Sequence, residues 1–253
     1  MKTKDLDIVY CLKEKPTHDE FKYSLRSLKN LEHNRVWVFG GCPDWLDLDK
    51  VEYVKTLQNR GNKWLNVASM LLEIAENDNI TEDFIWFNDD FFVLQKTDEL
   101  NYYYDRTLLA RVSDFYKPHR YLMNNNYTRR LTNASRSLKW KDKPILNYEL
   151  HLPMIFNRKK LAEVIKEYPD IGAKRSLYGN NYVEDAVQRK DVKIYDNENV
   201  PDDTWDFVST SDGSFAVGKV GKYIRQKFKA KSEYEKVDKK KSKHYNKIEK
   251  EDE

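Results

Sequence analysis

The residues best suited to chemistry stand together at Asn88-Asp89-Asp90. They separate two apolar runs, Phe84–Phe87 and Phe91–Leu94. Burying three such side chains without partners is costly. A divalent cation is one remedy, because hard cations take carboxylate oxygens and bridge to phosphate when a substrate supplies it. A plain turn after a strand is the other reading. In an extended chain Asp89 and Asp90 point to opposite faces, so both reach one ion only if the backbone turns there. A second group lies at Glu149 and His151, two positions apart and hence on one face of an extended run. Imidazole is the side chain suited to moving a proton near neutrality, and Glu149 can orient the ring or be the base itself. The alternative for His151 is a core histidine bonded to backbone. The hydroxyls of Ser209–Ser214, with Asp212 among them, can bind phosphate or sugar or satisfy local backbone.

Elements able to position these groups follow from the pattern. Phe84–Phe87 is too short for a helix and reads as a strand buried on both faces. Leu6–Leu12, Arg35–Phe39 and Val51–Leu57 are further strand candidates, and Gly40-Gly41 stops the second. Thr17–Asn30 predicts a helix with Thr17 and Glu20 as a capping box and Phe21, Leu25 and Leu28 on one face. Asn66–Glu76 and Arg158–Tyr168 predict two more helices. The strand-like run Asn147–Phe156 contains Pro153, which places it at an edge or makes it irregular. Leu177–Asn181 reads as a Gly/Asn turn, Tyr182–Gln188 as a short helix, Trp205–Phe215 as a strand entering a turn and Gly218–Phe228 as a basic amphipathic helix. Strands and helices in short alternation predict an α/β fold with a mainly parallel sheet, whose ligands gather at the carboxyl ends of strands.

Composition narrows the class. The 253 residues are 40% hydrophobic and 34% charged, with a net charge of +3. Residues 219–253 carry 13 basic and 7 acidic side chains, so the remainder is slightly acidic. That excludes a body that binds nucleic acid through bulk charge. Attraction is local: from Lys117 to Lys143 eight basic residues meet one acidic one, with Tyr121, Tyr127 and Trp140 interleaved. This stretch reads as a basic insertion at about 107–146, either a solvated, partly helical segment or a phosphate-contacting acceptor lobe. Residues 236–253 are almost wholly charged and are expected to be disordered. There is no signal-peptide pattern and no apolar run near the ~20 residues of a membrane span. With only Cys11 and Cys42 as cysteines, a reduced, cytoplasmic setting is expected.

Several stretches in order resemble the Stealth family of capsule-polymer hexose-1-phosphate transferases and related glycosyltransferases. Asp19–Leu28 is similar to the helix that opens its second block. Val36–Phe39, Pro43-Asp44-Trp45-Leu46 and Phe84–Phe92 follow as in the family, and Asn88-Asp89-Asp90 has the layout of the Asp-x-Asp-type motif of nucleotide-sugar transferases. His151-Leu152-Pro153-Met154 resembles its His-x-Pro block, and Phe207–Phe215 and Ser232-Glu233-Tyr234-Glu235 resemble its last ones. The resemblance covers about residues 6–235 and implies one GT-A-like nucleotide-sugar-binding domain over 1–235. It implies a Mn²⁺ or Mg²⁺ ion on Asp90, Asp89 and Asp212, with His151, Glu149 and Asp89 in catalysis. It further implies Tyr10, Arg26, Asn88, Ser211 and Asn180 as donor-binding residues, although Arg26 also reads as a surface ion pair and Asn180 as part of a plain turn. The expected donor is a nucleotide-sugar, UDP-sugar foremost, and the acceptor a polysaccharide or other polymer. Sugar and sugar-phosphate transfer both stay open. The runner-up readings are glycosylation of modified bases in DNA, motivated by Lys117–Lys143 and the basic tail, and a transferase-fold binding protein without catalysis. The basic C-terminal segment also offers peripheral contact with an anionic membrane.

Overall fold

A computed structural model describes every residue except 16, 59–62, 117–125 and 238–253. The expected α/β class with a mainly parallel central sheet is what it has. Five strands form that sheet: β1 (Asp7–Leu12), β2 (Val36–Gly40), β3 (Glu52–Val54), β4 (Asp83–Phe87) and, further along the chain, β7 (Met154–Asn157). Their order is β3-β2-β1-β4-β7; only β7 runs antiparallel to its neighbour. The aromatic run of β4 lies between β1 and β7, with Phe84, Ile85 and Phe87 fully buried. Parallel pairing against β1 aligns Tyr10 with Phe87, so both chains end at one sheet edge.

A three-stranded sheet of β5 (Phe91–Val93), β10 (Phe207–Thr210) and β9 (Lys193–Ile194), with β10 central, begins immediately after the Asn88–Asp90 turn. The pair β6 (Tyr103–Tyr104) and β8 (Val187–Gln188) completes the sheets. Eight helices are described: α1 (Asp19–Ser27), α2 (Lys63–Glu76), α3 (Leu108–Tyr116), α4 (Asn126–Trp140), α5 (Arg158–Glu167), α6 (Lys174–Tyr182), α7 (Asp212–Ala216) and α8 (Lys219–Lys227). One core cluster joins β2 and β4 to α2, α4, α5 and α6; another packs α1 against β1. None of the described helices is long and apolar enough to cross a membrane. Cys11 and Cys42 are free.

Several local expectations give way. The first helix starts at Asp19, with His18 left-handed (φ 57°) before it and no side-chain cap. Glu20 forms no capping box because its carboxylate is taken by Thr210 across the fold at 2.7 Å. Val51–Leu57 contributes only three strand residues. Tyr148 to Pro153 is irregular, not strand. Part of the basic segment belongs to the core, since Leu131, Ala134 and Leu138 of α4 are buried. Asn124 and Asn125, and the tail from 238, lie outside the described residues.

The largest local departure is Leu177–Asn181, which is helix and not turn. Gly179 lies against the Tyr148 ring, where an added Cβ would come within 2.6 Å of ring atoms. Asn180 is buried and bonded to Leu146 and to Ser176 O, and Asn181 donates to Leu177 O at 2.8 Å. Tertiary partners thus override the turn propensity of Gly-Asn-Asn. Gly179→Ala should destabilise the fold by about 1–3 kcal/mol, as overpacking does. Gly213→Ala, where nothing lies within 4 Å of the new methyl, should be neutral or slightly stabilising. Thermal denaturation of both variants checks the contrast; equal melting temperatures would refute it.

Candidate functional site

The Asn88–Asp90 turn divides its three side chains between different surroundings. Asn88 lines a cavity of about 580 Å³ at the carboxyl end of β4. Asp90 turns toward the second sheet, where its Oδ2 accepts from Lys193 Nζ at 2.7 Å and from Ser209 Oγ at 2.9 Å. Asp89 lies 3.6 Å from the buried ring of His18. His18 is itself bonded to the Lys13 carbonyl, which fixes the ring and explains the left-handed entry to α1.

The cavity wall comes from α2, α4, α6 and the irregular stretch before β7. Glu149 and His151 both line it. His151 Nδ1 donates to Asp191 Oδ2 at 2.7 Å, and its backbone N–H donates to the other carboxylate oxygen at 2.9 Å. This double bond to one carboxylate holds the ring with Nε2 as the remaining nitrogen. Burial pushes the Asp191 carboxyl up, but the bonds from His151 outweigh it and hold it below its usual range. Burial raises Glu149, whose carboxylate accepts from the Ser176 N–H at 2.8 Å. Arg175 is buried, donates to Leu152 O at 2.6 Å and to Asn88 Oδ1 at 3.4 Å, and stacks 4.4 Å from the centre of the Trp86 ring. Burial lowers it to about 10 and lowers Lys174 to about 8. Arg129 and Arg130 of α4 line the same cavity. The result is a cationic wall facing a histidine–carboxylate pair.

Other residues singled out from the sequence lie elsewhere. Tyr10 is fully buried, bonded to Ser24 at 2.9 Å, and does not line the cavity. Arg26 binds both carboxylate oxygens of Glu235 at 2.7 Å and donates to the Phe228 and Lys229 carbonyls, so it clasps the C-terminal segment. Asn180 is saturated within the core, as described above. Ser211 caps α7 in a capping box with Ser214. Asp212 is exposed in the first turn of α7.

Three carboxylates act on Glu20 near the turn. Burial pushes Glu20 up to about 8, and Asp89, Asp90 and Asp212 add to the rise while the Thr210 hydrogen bond opposes it. Burial lowers Lys193, but Asp90 outweighs it and holds the ammonium above its ordinary range. Lys193 pairs with Asp90 on this side of the turn. Among the described residues no three His, Cys, Asp or Glu side chains gather as a ready cation cage. The all-oxygen donor set still suits Mg²⁺ or Mn²⁺ in the form that takes one or two carboxylates and completes its shell with substrate phosphates.

The sequence pattern does not single out Asp191, Lys193, Arg175 or Lys174, and it assigns Glu20 to a helix cap. A signal for two of them lay in Asp191-Val192-Lys193-Ile194, whose period of two puts Asp191 and Lys193 on one face opposite two apolar residues. Nothing local marks Lys174 and Arg175 as buried.

No family model and no curated protein matches the chain. Among solved structures, the galactosyltransferase LgtC in complex with donor and acceptor sugar analogues is similar at TM-score 0.49 and 9% identity, over 93% of this chain and 98% of that one. Mouse xyloside xylosyltransferase 1 is similar at 0.35 and 9%, over 91% and 96%. The glycosyltransferase GlyE of Streptococcus pneumoniae TIGR4 is similar at 0.37 and 10%, over 73% of this chain and 45% of its own.

Glu20 supplies a test of the charge excess. Its folded value of about 8 lies above the ordinary 4.5, so it favours folding most below about 4.5 and that contribution is lost as pH rises to about 8. Glu20→Gln should melt like the parent near pH 5 and increasingly above it toward pH 9, measured in EDTA. A constant difference across that range would contradict the assignment.

Proposed function

We propose that the protein is a glycosyltransferase of GT-A type that moves a sugar from a nucleotide-sugar donor, a UDP-sugar foremost, to a hydroxyl of a polymer acceptor. The observation that carries this reading is the cavity at the carboxyl end of β4, lined by His151, which Asp191 holds, and by Arg130 and Arg175. Guanidinium and ammonium groups suit a diphosphate leaving group. A cavity of about 580 Å³ falls within the usual range for small-molecule sites. The ordered motifs that resemble Stealth proteins support the same class of donor, and with it the transfer of a hexose phosphate as the variant chemistry.

In this reading Asp191 accepts from Nδ1 of His151, which leaves Nε2 as the nitrogen able to accept a proton. Nε2 takes the proton of the acceptor hydroxyl as that oxygen attacks the anomeric carbon and the bond to the donor phosphate breaks. The guanidinium groups of Arg130 and Arg175 stabilise charge growing on the departing diphosphate. Glu149, bonded to Ser176 N–H, keeps Arg175 and Arg130 company electrostatically and orients the wall. A divalent ion held by Asp89 and Asp90 would supply Lewis acidity to the leaving group.

His151→Ala and Asp191→Asn should each lower transfer roughly 10²-fold or more, while the rise in melting temperature caused by UDP-sugar binding persists. The second variant changes the tautomer and not the size of the site. Retention of activity in both, in folded protein, would overturn the role of the pair. For the metal, Asp89→Asn is the informative variant, because Asp90→Asn also strands the poorly exposed Lys193 ammonium and costs stability. Asp89→Asn should fold normally, lose most activity and weaken Mn²⁺ binding in the presence of UDP. EDTA should abolish activity and Mn²⁺ or Mg²⁺ restore it; EDTA-resistant turnover would dismiss the metal.

A further inference from the structure

A second concavity, of about 480 Å³, lies beside the C-terminal end of α4. Trp140 forms part of its wall and is 90% exposed, the most exposed of the large hydrophobic side chains described. Leaving an indole in water forgoes the stabilisation that burial of a large aromatic normally brings. The concavity shares Pro169, Asp170 and Ile171 with the wall of the catalytic cavity, so the two are contiguous.

The lining has a definite charge character. Arg136 and Lys141 stand against Glu167 and Asp170, and Lys141 is ion-paired with Glu167. Two charges of each sign, alternating in a small space, repel a polyanion as much as they attract it. They offer both donors and acceptors to a neutral ligand rich in hydroxyls. The apolar face of a pyranose ring, with its C–H bonds directed outward, matches an exposed indole.

We propose that this groove binds a neutral stretch of the acceptor glycan, with one sugar ring stacked on Trp140 and the chain end passing over Pro169–Ile171 into the catalytic cavity. That it is the acceptor rests on the transferase reading above; that it is a glycan site does not.

The test uses the full chain with three neutral hexasaccharides, β-1,4-linked glucose, β-1,4-linked N-acetylglucosamine and α-1,4-linked glucose, and a ten-residue oligothymidylate. Binding is followed by calorimetry and by saturation-transfer NMR. At least one hexasaccharide should bind, Trp140→Ala should weaken it on the order of tenfold, and Trp140→Tyr should keep most of the affinity. Because Trp140 is so exposed, Trp140→Ala should melt like the parent. Absence of hexasaccharide binding, or binding that Trp140→Ala leaves unchanged, overturns the proposal. Trp140-dependent binding of the oligothymidylate in place of the sugars overturns it in favour of base stacking. The melting shift with UDP-sugar is recorded in parallel: Trp140-dependent sugar binding without that shift defeats the transferase reading and leaves the glycan groove standing, and the reverse pattern defeats the groove alone.

Discussion

The charge on Asp90 is the constraint around which this molecule is arranged. The strand that carries it is buried on both sides, so its carboxylate leaves the sheet where water is scarce and has to find a cation and a donor. Both come from the second sheet: Lys193 of β9 and Ser209 of β10 close on one oxygen. Without them the turn after β4 would strand a carboxylate, which costs several kcal/mol when a buried pair is broken. With them, β4 of the first sheet is tied to the second sheet, and the carboxyl end of β4 is fixed relative to the elements that bring Asp191. The Asp191–His151 pair depends on this, because Asp191 lies two residues before Lys193 in the same segment.

The same arrangement leaves the site electrically poised. Asp89, Asp90 and Asp212 all act on Glu20, and Lys193 is paired with Asp90. On the other side of the turn the wall is cationic, with Arg175 buried against the Trp86 and Phe91 rings and bonded to the Leu152 carbonyl. A ligand with a diphosphate at one end and hydroxyls at the other would meet compatible groups along its length. That correspondence is what makes the transferase reading the most economical one for this cavity.

The sequence carried the frame of the fold plainly and its site only in part. Four consecutive apolar and aromatic residues before Asn88 can hardly be anything but a buried strand, and the alternation around it implies a parallel sheet. Asn88, Glu149 and His151 were visible because their types and spacing are unusual in themselves. Lys193 was not, because its meaning lies in a partner 103 positions away. Glu20 misled for a related reason: three residues after Thr17 it fits a capping box, but Thr210 outbids the helix terminus for its carboxylate. Gly179-Asn180-Asn181 carries a local turn signal that Tyr148, Leu146 and Ser176 cancel from outside the segment. Local rules failed where side chains answer to distant partners, and the site is built of such residues.

The clasp between Arg26 and Glu235 has a consequence for how the chain is made. Its two halves are 209 positions apart. At ribosomal speeds of ~5–20 residues per second the guanidinium emerges on the order of 10–40 s before its carboxylate. Through that interval α1 is held by Phe21 and Leu25 against β1 and by the hydrogen bonds of Ser24 to Tyr10 and to the Phe91 carbonyl. The bidentate bond and the short pairing of Leu46 with Glu235 form only once residue 235 has emerged. Helix α1 is thus translated 209 positions ahead of the carboxylate that clasps it.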